Sequence, residues 1–373
     1  MPWQYPLFEL DYGKEEERAV IEVIQSGWIT QGPKTLEYEE KLARYFGVKY
    51  ALATSSGTTA LHLAYLAAGI HPGMKVIVPS LTFVATVTPL LWIGAHPLFA
   101  DIHSLKFPNI SPENVEKLAP QADAIVFVHY AGFPDFIQDI SEIARKNDLI
   151  LIEDASHAIG TRINGKSAGT FGRVSAFSTF SNKNLSTGEG GFILTDDEKI
   201  YEKAKLLRSH GMTTTSFSKY SGHHPLYDVI EIGFNYRITE IHAALGIVQL
   251  EKLDMKNKKR KELVREYRDE LNDVKGLIIP FENFENSANY IFPVVLPDGT
   301  NRESVIKKMA ETGIQTSIHY PPIHKFTAFR GIGTDTVLPV TEEYARRTLT
   351  LPLYPSLNRE DIVYITNALK NSI

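Results

Sequence analysis

The sequence predicts an α/β protein. A large domain, residues 12–248, would hold a central, mostly parallel sheet flanked by helices, and a smaller C-terminal α+β domain, residues 249–373, would follow, with residues 1–11 packed near it. Three observations lead there. From about residue 45 to residue 200, short runs rich in Val and Ile alternate with helical patterns, as parallel strands covered by helices do. Almost every run ends in a small or polar residue, and in an open α/β sheet the carboxyl ends of strands are where ligands gather. A charged amphipathic stretch, QLEKLDMKNKKRKELVREYRDELNDV (249–274), then breaks the alternation.

The elements follow in order. YALATSS (50–56) reads as a strand ending in a turn, and GTTALHLAYLAAGI (57–70) as the helix it feeds. KVIVPS (75–80), HPLFADI (96–102), AIVFVHYAG (124–132) and LILIEDAS (149–156) read as further strands. A hairpin-like excursion, GTRINGKSAGTFGRV (160–174), separates these from the strands SAFSTF (175–180) and GGFILTD (190–196). The KNKKRK run (256–261) reads as the solvated face of a long connecting helix, because acidic residues follow it directly. In the last third, NYIFPVVLP (289–297) and GIQTSIHYPP (313–322) read as strands.

Composition narrows the function. The 373 residues are 43% hydrophobic, enough for a large core, and carry a net charge of -5. Without a basic excess no nucleic-acid partner is expected. Cysteine is absent, which excludes disulfides, thiolate nucleophiles and cysteine-bound metals. The amino terminus lacks the pattern of a signal peptide, and the longest apolar stretches are broken by Pro and His, so a soluble cytoplasmic protein without a membrane partner is expected.

The chemistry centres on SNKNLSTGEGG (181–191). Lys183 there could be a loop charge, a phosphate clamp or a lysine that reacts covalently. Asp154 closes the strand LILIED, 29 residues earlier, so carboxylate and lysine would both sit at strand ends of one sheet. A carboxylate that pairs with a pyridinium nitrogen, together with a lysine able to form a Schiff base, is what pyridoxal phosphate chemistry requires. A phosphate would find the amides of Gly57 and Thr58 at a helix start, with the Ser178 hydroxyl beside them. Phe83, in VPSLTFVAT, could stack on a ring or be an ordinary core residue.

Taken together, GWITQGP (27–33), SSGTTAL, VPSLTFVAT, IEDASHAIG, FSTFSNKNLSTGEGG, RSHGM and GFNYRITEIHAALG resemble the DegT/DnrJ/EryC1/StrS family of nucleotide-sugar aminotransferases. IHYPPIH (318–324) extends the likeness. The resemblance implies the type I fold of pyridoxal-phosphate enzymes, with a seven-stranded central sheet. It implies that Lys183 carries the cofactor, that Asp154 pairs with its ring nitrogen and that His157, where many relatives have Gln, lies near the ring hydroxyl. By the same likeness Gly57, Thr58 and Ser178 hold the phosphate, and Phe83 stacks on the ring. Asn235 would reach the cofactor phosphate in the other subunit of a homodimer.

Relatives with His in place of the lysine catalyse dehydration, and here the residue is Lys. The resemblance therefore implies transfer of an amino group from L-glutamate, released as 2-oxoglutarate, to a nucleotide-linked keto-sugar for amino-sugar or cell-surface glycan synthesis. TGEGG and the RSHGM region are similar to enzymes acting on 4-keto-6-deoxyhexoses. A 3-aminotransferase and a non-catalytic regulator on the same scaffold are the alternatives. Trp28, Thr30, Gln31, His319 and Tyr320 are candidates for the sugar site, with a structural role equally open. His223, His224, His319 and His324 lack a supporting carboxylate pattern, so no metal is expected.

Overall fold

The computed structural model describes residues 3–214, 226–332 and 336–373. His223, His224 and the first part of the stretch after RSHGM lie outside the described residues. The chain begins with α1 (Lys14–Ser26), α2 (Pro33–Phe46), β1 (Tyr50–Thr54), α3 (Gly57–Ala68), β2 (Lys75–Pro79), α4 (Thr88–Ile93) and β3 (His96–Ala100). It continues through α5 (Pro112–Leu118), β4 (Ala124–Val128), α6 (Ile137–Lys146) and β5 (Ile150–Asp154). The excursion after β5 is the hairpin β6 (Arg162–Ile163) and β7 (Lys166–Ser167), and β8 (Val174–Ser178), β9 (Gly191–Thr195) and α7 (Glu198–Arg208) follow.

These strands form one seven-stranded sheet in the order β1-β9-β8-β5-β4-β2-β3. Only β9 runs against its neighbours; the contacts from β8 to β3 are parallel. The alternation of side chains along each strand divides the core in two. Val76, Val78, Val126 and Ile152 pack with Leu61 and Tyr65 of α3 on one face. Ile77, Ile125, Phe127 and Leu151 meet Ile137 and Ile140 of α6 on the other. Every residue of β4 is buried, which is why its sequence is an unbroken apolar run.

From Glu240 to Leu271 runs a single helix, α8, of 32 residues, started by the Thr239 hydroxyl accepting the His242 N–H. Its first half packs Ala243, Ile247 and Leu253 against Tyr38 and Phe46. The second half contributes Leu263 and Tyr267 to a separate core, built with β10 (Phe292–Val295), α9 (Arg302–Glu311), β11 (Thr348–Leu351) and α11 (Arg359–Lys370), while α10 (Pro339–Arg347) places Tyr344 in a further cluster with Tyr130, Phe133 and Phe281. β10 and β11 pair antiparallel. The amino-terminal segment is tied to this part, with Tyr5 bridged to Ile314 and the Leu7 N–H donating to Gln315 Oε1 at 2.9 Å. Among the described residues no helix is long and apolar enough to cross a membrane.

Two expectations need correction. The stretch 313–322 forms no regular strand: it makes single bridges, Tyr5 to Ile314 and Ser317 to Thr350. Pro321 and Pro322 have no N–H to pair, and the Tyr130 hydroxyl takes the His319 carbonyl. Nor is KNKKRK simply a solvated face, since Lys256, Asn257 and Arg260 are buried. They point inward because three- and four-residue steps along α8 share one side, and each finds a carbonyl: Lys256 Nζ on Asp11 (2.9 Å), Asn257 on Ile159 (3.0 Å), Arg260 on Leu353 (2.7 Å).

Arg260 thus joins α8 to the small core. Replacing it by Ala removes a charged donor and a buried stem, and is expected to cost about 2–3 kcal/mol. An unchanged midpoint in urea unfolding would show that the residue carries no such load.

Candidate active site

Because six strands of the sheet point the same way, the carboxyl ends of β5 and β8 and the start of α3 meet at one edge. There a cavity of about 370 Å³ is lined by Lys183, Asp154, His157, Ser178, Gly57 and Thr58, together with Phe83, His319 and Tyr320. Nine of the residues singled out in the sequence are therefore brought together. Trp28, Thr30 and Asn235 are not among the lining residues. Trp28 Nε1 donates to the Gln31 carbonyl at 3.2 Å, and Thr30 and Gln31 line a different cavity with Arg208 and Arg237. Asn235 is exposed and bridges to Ser209.

Asp154 is the last residue of β5, and its neighbour Glu153 points the opposite way. Glu153 is fully buried, accepts the N–H groups of Gly169, Phe171 and Gly172 at 2.6–2.8 Å and lies 2.7 Å from His129 Nε2. It fixes the loop that leads into β8. Asp154 turns into the cavity, where Oδ2 accepts from Thr86 Oγ1 (2.8 Å) and Oδ1 from the Ser156 hydroxyl (2.6 Å) and amide (3.2 Å). A carboxylate offers about four acceptor positions, so one remains for a donor inside the cavity.

Lys183 sits on the loop between β8 and β9, whose turn is set by the Thr179 and Thr187 hydroxyls, 2.7 Å apart. Its Nζ lies 4.1 Å from the centroid of the Tyr290 ring. Burial lowers the Lys183 pKa to about 7, while the charge of Asp154 works against that fall. The amine is therefore largely able to act as a base or nucleophile near neutrality. Burial, with Lys183 close by, also pulls His319 down to about 3 and His157 well below the ordinary histidine range.

The start of α3 is an anion cradle. Ser56 caps the helix by accepting the Thr59 N–H, which leaves the first amides, those of Gly57 and Thr58, at the cavity wall. Gly57 is required by packing, for a Cβ there would stand 2.7 Å from Ser178 Cβ. The missing side chain lets the helix dipole, two amides and the Ser178 hydroxyl converge. Sequence reading gave no role to Tyr290, Thr86 or Ser156, although each lies inside a stretch it singled out, NYIFPVVLP, VPSLTFVAT and IEDASHAIG; what marks Thr86 and Tyr290 is a partner across the fold, Asp154 for the one and Lys183 for the other.

A lysine with lowered pKa, a carboxylate with one open acceptor position and an anion cradle, arranged at one sheet edge, fit pyridoxal phosphate and define an enzyme of its type I fold. Comparison with known proteins gives the family. The DegT/DnrJ/EryC1/StrS aminotransferase family matches residues 10–370, and the chain belongs to it. It is 35% identical to the spore coat polysaccharide biosynthesis protein SpsC of Bacillus subtilis, across 100% of this chain and 97% of that one. Helicobacter pylori PseC, an aminotransferase involved in the biosynthesis of pseudoaminic acid, superposes with a TM-score of 0.92 at 30% identity, covering 100% and 99% of the two chains. Escherichia coli GDP-4-keto-6-deoxy-D-mannose-3-dehydratase, with bound hydrated PLP, superposes at 0.91 with 26% identity, covering 99% and 100%. The protein is a pyridoxal-phosphate-dependent sugar aminotransferase.

The lowered pKa of Lys183 predicts how the apoprotein takes up its cofactor. Below pH 7 the amine is protonated and cannot attack an aldehyde; above it the neutral form dominates. Uptake should rise with a midpoint near the pKa of about 7 and then level off. A rate still climbing toward the ordinary lysine value of 10.5 would refute the shift.

Proposed function

We propose that the protein transfers the amino group of L-glutamate to a keto-sugar linked to a nucleoside diphosphate, at C4 of a 4-keto-6-deoxyhexose, for the synthesis of a cell-surface glycan. The observation that carries amino transfer is Lys183 itself, held near neutrality in the cavity that Asp154 shares. The cofactor, when bound, carries the amino group and takes up the electrons released as a C–H bond beside it breaks. Asp154, fixed by Thr86 and Ser156, holds the positive charge of a ring N–H. Gly57, Thr58 and Ser178 bind the phosphate, and Phe83, more than half exposed at the mouth, stacks over the ring and excludes water.

Lys183 moves the proton. In the first half-reaction it takes one from the Cα of glutamate; in the second it returns one to the sugar carbon, on the face it occupies, and so sets the new amine's stereochemistry. His319 and Tyr320 line the same cavity and would border a bound sugar. Glu189 lines the same cavity within the TGEGG turn, whose likeness to C4-acting relatives supports the position of attack. The chain divides along α8 in this reading, residues 12–248 binding the cofactor and 249–373 closing over it.

We also propose a homodimer. Leu226, Val229, Ile230 and Ile232 are 83%, 49%, 63% and 87% exposed, a group of apolar side chains interrupted by Asp228 and Glu231 that a second copy of the chain would cover. Asn235 follows directly and would enter the partner's phosphate cradle. Trp28 and Thr30 would face the same interface.

Turnover of 3-keto and 4-keto nucleotide sugars with glutamate tests the reaction. The 4-keto sugars should be aminated and Lys183→Ala should be inactive, without the visible band of a lysine-bound cofactor; preference for a 3-keto sugar overturns the C4 assignment. The shared site is tested by complementation: Lys183→Ala and Asn235→Ala chains, each impaired alone, should regain activity when mixed as heterodimers, and no recovery would place Asn235 outside the partner's site.

A further inference from the structure

His157 is held from both sides. The Ala131 N–H donates to its Nδ1 across 3.2 Å, and Tyr320 Oη lies 3.0 Å from its Nε2. Ala131 adopts a left-handed φ of 57°, unusual for a residue other than glycine, in the turn that presents this amide. An amide N–H can only donate, so Nδ1 must accept, and in a neutral imidazole the proton then sits on Nε2. Burial, with Lys183 and His319 facing the ring, keeps the imidazole neutral.

The consequence falls on Tyr320. Its oxygen accepts from His157 Nε2–H, so its own proton must point elsewhere. The hydroxyl stays protonated because burial, with Tyr290 and Asp154 facing it, raises its pKa well above the ordinary value. Tyr320 lines the cavity with Lys183 and Asp154, and the loop that carries it is anchored by the Tyr130 hydroxyl on the His319 carbonyl and by His319 Nδ1, 2.9 Å from Thr350 Oγ1. The hydroxyl thus presents a donor to the cavity.

We propose that Tyr320 supplies the hydrogen bond to the ring oxygen of the bound cofactor, and that His157, whose one N–H is engaged by Tyr320, is the positioning residue that turns this hydroxyl into the cavity. This gives a specific role to the place near the ring hydroxyl that resemblance assigns to His157. It rests on the cavity being the cofactor site, as read above.

Spectrophotometric pH titration of the cofactor-loaded protein tests it. Tyr320→Phe should shift the titration midpoint of the visible band by about half a pH unit or more, the scale of one lost hydrogen bond. His157→Phe should shift it comparably, and the double variant no further than either single one, because the two side chains form one chain. His157→Gln should keep the wild-type midpoint, since its amide can accept from Ala131 and donate to Tyr320. A midpoint unmoved in Tyr320→Phe, or moved further in the double variant, overturns the proposal while leaving the cofactor site intact. A wild-type protein with no visible band would overturn the site reading and this proposal together.

Discussion

Desolvation of one amine governs this site. Lys183 must be buried enough to lose its proton near neutrality, yet a bare ammonium in a dry cavity is costly. The fold reconciles the two by setting Asp154 in the same cavity, where its charge limits the fall, and by giving Nζ the face of Tyr290. Much of the surrounding architecture serves that balance. Thr86 and Ser156 immobilise the carboxylate, and the threonines at 179 and 187 fix the loop that carries the lysine.

The two cores divide this labour. The seven-stranded sheet delivers Asp154, Ser178 and the α3 amides as ends of rigid elements, so their relative positions depend on strand register. Tyr290, His319 and Tyr320 come from the far side, on segments anchored in the small core. α8 packs into both, and its buried Lys256, Asn257 and Arg260 bind carbonyls from the amino terminus, the large part and the small part in turn. The two walls of the cavity are therefore held to one polar spine.

How much of this could be read from the sequence depends on the range of the interaction. The parallel sheet was legible because its strands are buried on both faces and read as continuous apolar runs, β4 most clearly. The residues at strand ends and in the loops just beyond them were legible as polar interruptions, which is why Asp154, Ser178, the α3 start and Lys183, on the loop after β8, emerged together. The roles of Tyr290 and Thr86 were not, although both sit in stretches the sequence marks, since each acts through a partner far away in the chain. The strand expected at 313–322 failed because apolar spacing cannot show that a carbonyl is taken by Tyr130 or that two prolines lack donors. In the same way, a run of cations gives no sign of which members turn inward until the helix face is known.

Glu153 and Asp154 are adjacent acids with unrelated duties, one a structural anchor for three amides, the other the cavity's carboxylate. They are told apart only by which side of β5 each occupies. Either could be replaced alone and the loss would be local. Inserting or deleting a single residue upstream in the strand is a different matter, because it would exchange their orientations: the anchor would enter the cavity and the cavity acid would face the loop. The reading frame of this strand is thus under a tighter constraint than the identity of most residues in it, and length variation in this region should be confined to the hairpin beyond β5.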